Sequence, residues 1–178
     1  MRRAPWRGPV GVIGLGLMGG SLSRELASRG LPVYGHDADA ATVEEAISLG
    51  VLKASFSDSL AELGKLEVVV IAVPVNHAAQ ALAWTIPHLS PDCVVTDVGS
   101  TKRSILKAAQ RLGIADRFVG SHPLTGGHRS GWRASHRDLY AWQRVFLCPT
   151  AETSADALAR VTALWELVGA LPEVIDAE

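Results

Sequence analysis

The sequence predicts an α/β fold: a doubly wound, mostly parallel sheet with helices on both faces. Short apolar runs alternate with helical segments along almost the whole chain, the order expected of strand–helix–strand units. The strongest runs are continuously apolar rather than alternating, which suits strands buried on both faces. A glycine-rich turn joins the first run to the first helix. The length agrees, because 178 residues hold one domain with a substantial core but not two ordinary ones.

The elements follow in order. Val10–Ile13 is apolar, ends in glycines and reads as a buried strand. A helix is predicted over 21–29, with Leu22 and Leu26 four apart and Gly30 as its stop. Residues 32–36 form the second strand. Asp39 is placed to cap a helix carrying Val43, Ala46 and Ile47, which Gly50 ends. A weak strand at 53–55 and a short helix at 57–63 come next. Residues 68–73 are six apolar residues, mostly β-branched and stopped by Pro74, the clearest strand in the chain. A helix over 76–86 leaves through Pro87 and Pro91. Strand 93–98 precedes a helix capped by Ser100 or Thr101 and running through Ile105, Leu106 and Ala109 to Gly113. Residues 118–120 form a short strand, and a polar, Gly-rich loop begins at His122. A strand at 145–148, an amphipathic helix at 156–168 and a last strand at 173–175 complete the chain.

Composition excludes several classes. Apolar residues make up 48% and charged residues 20%, a globular balance rather than a disordered one. A net charge of −1 provides no electrostatic footprint for nucleic acid or an anionic membrane. No apolar run reaches the roughly 18 residues of a membrane span. Met1, Arg2 and Arg3 precede a Gly-rich stretch without a small-residue cleavage site, so no export signal is expected. Two cysteines, Cys93 and Cys148, are too few for a disulfide framework. A reduced, cytoplasmic protein is expected. His122, His128 and His136 have no carboxylate or thiolate at a spacing that completes a metal site, and none is expected.

Residues 14–19, Gly-Leu-Gly-Leu-Met-Gly, match G-x-G-x-x-G directly after a strand and directly before a helix. Gly14 permits the tight turn, Gly16 lets backbone approach a pyrophosphate, and Gly19 lets the helix pack on the strand. N–H groups of this turn, those of Leu17 and Met18 included, are free for phosphates. Asp37 ends the second strand, 21 positions after Gly16. There it accepts both ribose hydroxyls of NAD and repels a 2′-phosphate, and no arginine follows at once as at an NADP site. The bland alternative is a surface cap for the next helix. The expected cofactor is NAD, on a Rossmann-type sheet. Ligands cross the carboxyl ends of such sheets, so Val73 and Pro74, 97–102 and 120–128 become site candidates.

Those stretches resemble the prephenate and arogenate dehydrogenase family. The resemblance rests on GLGLMGGSL at 14–22, VVVIAVPV at 68–75, DVGSTK at 97–102 and GSHPLTG at 120–126. SG at 130–131, DLY at 138–140 and the closing DAE at 176–178 also fit. It implies NAD-dependent oxidative decarboxylation of prephenate to 4-hydroxyphenylpyruvate in tyrosine biosynthesis: hydride leaves the ring carbon bearing the hydroxyl, CO₂ departs and the ring becomes aromatic. By the motif match, His122 is the base or hydrogen-bond acceptor for the ring hydroxyl, and Ser100 binds that hydroxyl and orients the imidazole. An ordinary histidine pKa of about 6.5 makes neutral imidazole available. Taken alone, Ser100 also reads as a helix N-cap and His122 as a loop histidine. Lys102, Thr125, Gly126 and His128 fall on the substrate side, although Lys102 alone reads as a solvated lysine of a first helical turn.

The chain departs from the family at two places. Thr125 and His128 stand where HPMAGxE has alanine and an acid, which removes the carboxylate expected at the substrate mouth. Trp132 and Trp142 lie nearby, placed either to line the active-site mouth or, the favoured reading, to pack as apolar residues under a long loop. Family members also continue beyond the DAE-type segment into an all-helical domain that dimerises and supplies an arginine for a substrate carboxylate. The expectation is a basic tail at 1–8 and a dinucleotide-binding domain at 9–178. Homodimerisation and the complete substrate site would belong to the missing helical domain, and the domain alone would turn over poorly. Prephenate and arogenate both remain open as substrates. Two other classes stay open as well: a β-hydroxyacid dehydrogenase of the 3-hydroxyisobutyrate kind, and a non-catalytic NAD-binding module.

Overall fold

The computed structural model describes residues 8–56 and 63–175. Its strands are β1 (Val10–Ile13), β2 (Val33–His36), β3 (Ala54–Ser55), β4 (Val68–Ile71), β5 (Val94–Asp97), β6 (Phe118–Pro123), β7 (Arg144–Cys148) and β8 (Leu171–Val174). Its helices are α1 (Leu17–Ser28), α2 (Ala40–Ser48), α3 (Val75–Thr85), α4 (Arg103–Arg111) and α5 (Ala155–Leu167). The strands form one sheet in the order β3-β2-β1-β4-β5-β6-β7-β8. Neighbours run parallel except β6 and β7, which are antiparallel. The order reverses between β1 and β4, where a doubly wound sheet opens a crevice at its carboxyl ends. The Rossmann-type architecture expected from the sequence is present.

Strand side chains alternate between faces, and the core divides accordingly. Val10, Val12, Val68 and Val70 join Leu22 of α1 and Trp165 of α5 in one layer. Ile13, Val69, Ile71 and Val95 join Leu82 of α3 and Ile105 of α4 in the other. Both faces are covered, which is why the strands read as unbroken apolar runs. Cys93 and Cys148 are buried and free. No helix among the described residues is long and apolar enough to cross a membrane.

The structure moves several boundaries, each for a tertiary reason. α1 starts at Leu17, four residues before the predicted 21–29. Glycine is a weak helix former, yet the first turn contains Gly19 and Gly20 because side chains do not fit there. A Cβ on Gly19 would lie 1.8 Å from the Gly14 oxygen and 2.9 Å from Ala72 Cβ. Gly14 itself has φ +94°, and a Cβ there would meet the backbone of Ala72 and Val73 at 2.8 Å. β6 extends to Pro123 rather than ending at 120, because residues 120–123 pair with 145–148. His122 therefore stands near a strand end and not in a loop. Lys102 is the N-cap position of α4, and no side chain caps that helix, so neither Ser100 nor Thr101 does. Asp39 caps α2 as expected, accepting from the Ala41 N–H at 3.1 Å. β8 begins at Leu171 rather than 173. Most of the predicted 57–63 helix, most of the basic tail and the DAE segment lie outside the described residues.

These contacts separate two glycine substitutions. Gly19→Ala drives a methyl group into backbone, and relief requires α1 to lift from β1. A loss of about 3 kcal/mol or more is expected, the upper end for overpacking. Gly16→Ala has nothing within 4 Å of the new Cβ and should cost no more than about 1 kcal/mol as an exchange at a helix N-cap. Urea unfolding of both variants checks the difference. Equal stabilities would remove the Gly14–Gly19 contact as a constraint.

Candidate functional site

A cleft of about 1180 Å³ runs along the carboxyl ends of β1, β2, β4, β5 and β6. One end is the turn from β1 into α1. Gly16 is the N-cap of α1 and offers no side-chain cap, so first-turn N–H groups remain for an anion. The empty space around a Cβ at Gly16 fits a phosphate approaching the backbone. Leu17 and Met18 line this end, and the Met18 carbonyl accepts from the Tyr140 hydroxyl at 2.8 Å.

Asp37 follows β2 and is tied to the same turn. Its Oδ2 accepts the Leu15 N–H at 2.6 Å and its Oδ1 accepts the Asp39 N–H at 3.0 Å. Each carboxylate oxygen keeps further acceptor capacity, which a pair of vicinal hydroxyls fits. Asp37 does not cap α2, since Asp39 takes that position.

Val73 and Pro74 line the middle of the cleft, where β4 passes into α3. His122, Ser100, Thr125 and Gly126 line the other end. The His122 imidazole and the Ser100 hydroxyl have no hydrogen-bond partner among the described residues, whereas Thr125 Oγ1 donates to the Leu139 carbonyl at 3.1 Å. Burial first, and the Lys102 ammonium second, hold the His122 pKa below its ordinary value, with Asp97 pulling the other way. His122 is therefore neutral at pH 7 and able to accept a proton.

The structure places two sequence candidates away from the cleft wall. Lys102 is not a solvated lysine: its side chain is only 9% exposed and pairs with the buried Asp97. Its ammonium also donates to the Ser121 carbonyl at 2.7 Å, and its stem passes under Gly120. Asp97 accepts the Gly99 N–H at 2.9 Å and the Ser121 N–H at 3.1 Å. One buried ion pair thus joins the loop that carries Ser100 to the strand that carries His122. Burial pushes the Asp97 carboxyl up and the Lys102 ammonium down from their ordinary values, and their mutual attraction opposes both shifts. His128 is exposed and does not line the cleft, although its neighbours Gly127 and Arg129 do.

Trp132 is buried with the Arg24 guanidinium 3.9 Å above its ring, and Trp142 is 81% exposed. Neither lines the cleft. No group of three or more His, Cys, Asp or Glu side chains that could hold a metal occurs among the described residues.

Comparison with known proteins identifies the family. The family described as "Prephenate dehydrogenase, nucleotide-binding domain" matches residues 22–174. The chain belongs to this family. It is 29% identical over 171 residues to the cyclohexadienyl dehydrogenase of Zymomonas mobilis, covering 95% of this chain and 58% of that protein. The crystal structure of Synechocystis arogenate dehydrogenase superimposes with a TM-score of 0.88 at 30% identity, covering 95% of this chain and 60% of that one. Prephenate dehydrogenase from A. aeolicus, solved with hydroxyphenyl propionate and NAD⁺, gives 0.85 at 30% identity over 98% of this chain and 62% of that one. The chain spans about half the length of the curated relatives it matches. Membership in the prephenate dehydrogenase family replaces the β-hydroxyacid alternative that the glycine motif alone left open.

Sequence reasoning missed one wall of the nucleotide-binding cleft. His77, Gln80, Ala81 and Trp84 of α3 line it together with His36 at the end of β2. The signal was available: positions 77, 80, 81 and 84 are i, i+3, i+4 and i+7, one stripe of a helix. Arg129, after β6, lines the cleft, and among the described lining residues it carries the only permanent positive charge.

Lys102→Met tests the buried pair. The substitution leaves Asp97 buried without its cation, which costs about 3–5 kcal/mol in such pairs, and chemical denaturation measures the loss. It also removes one cause of the depressed His122 pKa, so the His122 titration, followed by NMR, should move upward. A stability change below about 1 kcal/mol with an unmoved histidine would make Lys102 an ordinary surface lysine.

Proposed function

We propose that this domain binds NAD along the cleft and serves the oxidative decarboxylation of prephenate. The observation that carries the proposal is the continuity of one cleft, with a phosphate-accepting turn and Asp37 at one end and His122 with Ser100 at the other. NAD supplies the hydride acceptor when bound. The first turn of α1 holds the pyrophosphate, and Asp37 holds the adenosine ribose through both hydroxyls. The end of the same cleft that carries His122 would be left for the nicotinamide.

His122, neutral at pH 7, accepts the proton of the ring hydroxyl as hydride leaves the carbon that bears it. Loss of CO₂ from the quaternary carbon across the ring then leaves its electron pair in the ring and makes it aromatic, and the phenolate oxygen takes the proton back from His122. The balance is prephenate plus NAD⁺ giving 4-hydroxyphenylpyruvate, CO₂ and NADH. Ser100, whose hydroxyl is not used as a cap, donates to the substrate hydroxyl or to the imidazole. The Asp97–Lys102 pair positions both groups and takes no proton. Arg129, on a cleft-lining loop beside Leu17, offers a charge-assisted contact for a carboxylate. The names of the relatives span prephenate, arogenate and cyclohexadienyl dehydrogenases, and the ring chemistry above is common to both substrates.

Two measurements test this reading. Asp37 accepts ribose hydroxyls and repels a 2′-phosphate, so NAD should bind at least about tenfold tighter than NADP, roughly 1.4 kcal/mol. Calorimetric titration of both cofactors decides it, and equal affinities would sink the assignment of Asp37. In the protein carrying its whole substrate site, His122→Asn should leave NAD affinity within a few-fold and lower kcat by about 10²–10⁴, the range for a lost general base. The parent's acid limb in kcat/KM should lie below pH 6.5, because the depressed His122 pKa keeps the base neutral as pH falls. Full turnover by His122→Asn at pH 7 would leave the histidine with a structural role only.

A further inference from the structure

Trp84 presents an aromatic face that the fold does not use. The residue ends the cleft-facing stripe of α3, and 40% of its surface is exposed. Its indole lies beside the imidazole of His36, with ring centroids 4.9 Å apart and planes tilted by 36°. His88 approaches from another side at 6.5 Å in an edge-on arrangement. His36 is the residue before Asp37, so the aromatic wall begins one residue from the carboxylate assigned to the ribose.

Covalent geometry then decides what reaches that wall. In adenosine the phosphate leaves the ribose at C5′ and the base leaves it at C1′, on opposite sides of the two hydroxyls. With the pyrophosphate over Gly16 and the hydroxyls on Asp37, the base must extend away from the glycine turn. His122 occupies the far end of the cleft in the other direction. The surface available to the base is the one made by His36, Trp84 and the amide-bearing Gln80. It is aromatic, suited to the π-face of a purine more than to its hydrogen-bonding edge.

We propose that Trp84, backed by His36, is the stacking wall for the adenine base. The proposal rests on the reading that the cleft holds NAD, and it assigns a binding role to a residue that no motif marks. His36 acts through the indole as a positioning residue. Gln80 supplies one polar contact at the rim of the base.

The test compares the parent protein with Trp84→Leu and Trp84→Phe, titrated calorimetrically with NAD and with AMP. Trp84→Leu keeps an apolar side chain without a π-face, and it should weaken both ligands about tenfold, the scale of a lost base–aromatic stack. Trp84→Phe should stay within a few-fold of the parent. Tryptophan emission should quench when AMP is added to the parent, and this response should shrink in Trp84→Leu. Melting temperatures without ligand should agree across the three proteins, since the side chain is substantially exposed. Unchanged AMP and NAD affinity in Trp84→Leu would overturn the stacking wall while leaving the NAD reading intact. Equal losses in Leu and Phe variants, with lowered melting temperatures, would overturn it in favour of a structural role. A parent that binds neither NAD nor AMP would overturn the NAD reading, and the wall with it.

Discussion

Gly19 packs so closely under Gly14 that a single methyl group would sit 1.8 Å from the Gly14 carbonyl oxygen. That contact sets the course of α1, which leaves β1 immediately and directs its N-terminus into the crevice beside β4. β4 takes part in the same constraint, since Ala72 lies 2.9 Å from the position of that methyl. The cleft floor is thus made where three backbone segments meet without side chains between them. Asp37 completes the turn through the Leu15 N–H, so its carboxylate is held in position by the fold itself. Preorganisation of this kind lowers the ordering cost of binding.

The opposite end of the cleft depends on charge. Asp97 and Lys102 pay a desolvation cost that their attraction only partly offsets, and such a pair is weak evidence for stability. Its role is geometric. Four hydrogen bonds from the pair reach Gly99 and Ser121 or join the two side chains, locking the Ser100 loop to β6. A second polar chain lies beneath: the Trp165 Nε1–H donates to Ser121 Oγ at 3.1 Å, and Ser121 Oγ bonds Thr96 Oγ1 at 2.7 Å. His122 is the next residue along a strand held in this way, and its side chain is left without a protein partner among the described residues. An imidazole held rigidly but not consumed by internal bonding keeps its ring nitrogens available to the cleft.

The two ends therefore use different physics within one cavity. At the glycine-turn end, backbone N–H groups and the Asp37 carboxylate are left to hydrogen-bond. At the His122 end, partial burial and a nearby lysine ammonium keep an imidazole neutral where an exposed histidine would be partly protonated at slightly acidic pH. Arg129 supplies the permanent positive charge on the lining of that cavity, on a loop beside Leu17.

The sequence by itself determined the features whose causes are local. Strands buried on both faces must be apolar throughout, so their runs and the alternation with helices announced a doubly wound sheet. The glycine spacing and Asp37 were legible because one turn and one strand length relate them. The motifs around Ser100 and His122 carried the family resemblance. Only the tertiary structure decided the rest. His122 stands on a strand because β7, more than twenty residues later, returns antiparallel beside it. Lys102 is buried because its stem crosses to the Ser121 carbonyl on another strand, a contact invisible to the helical pattern around it. The first turn of α1 contains glycines that intrinsic propensity counts against, because close approach to Gly14 and Ala72 leaves no room for a side chain at Gly19. Trp84 faces the cleft because packing of Ala78 and Leu82 against the sheet sets the rotation of α3. In each case the deciding partner is distant in sequence, and only the assembled sheet brings it within reach.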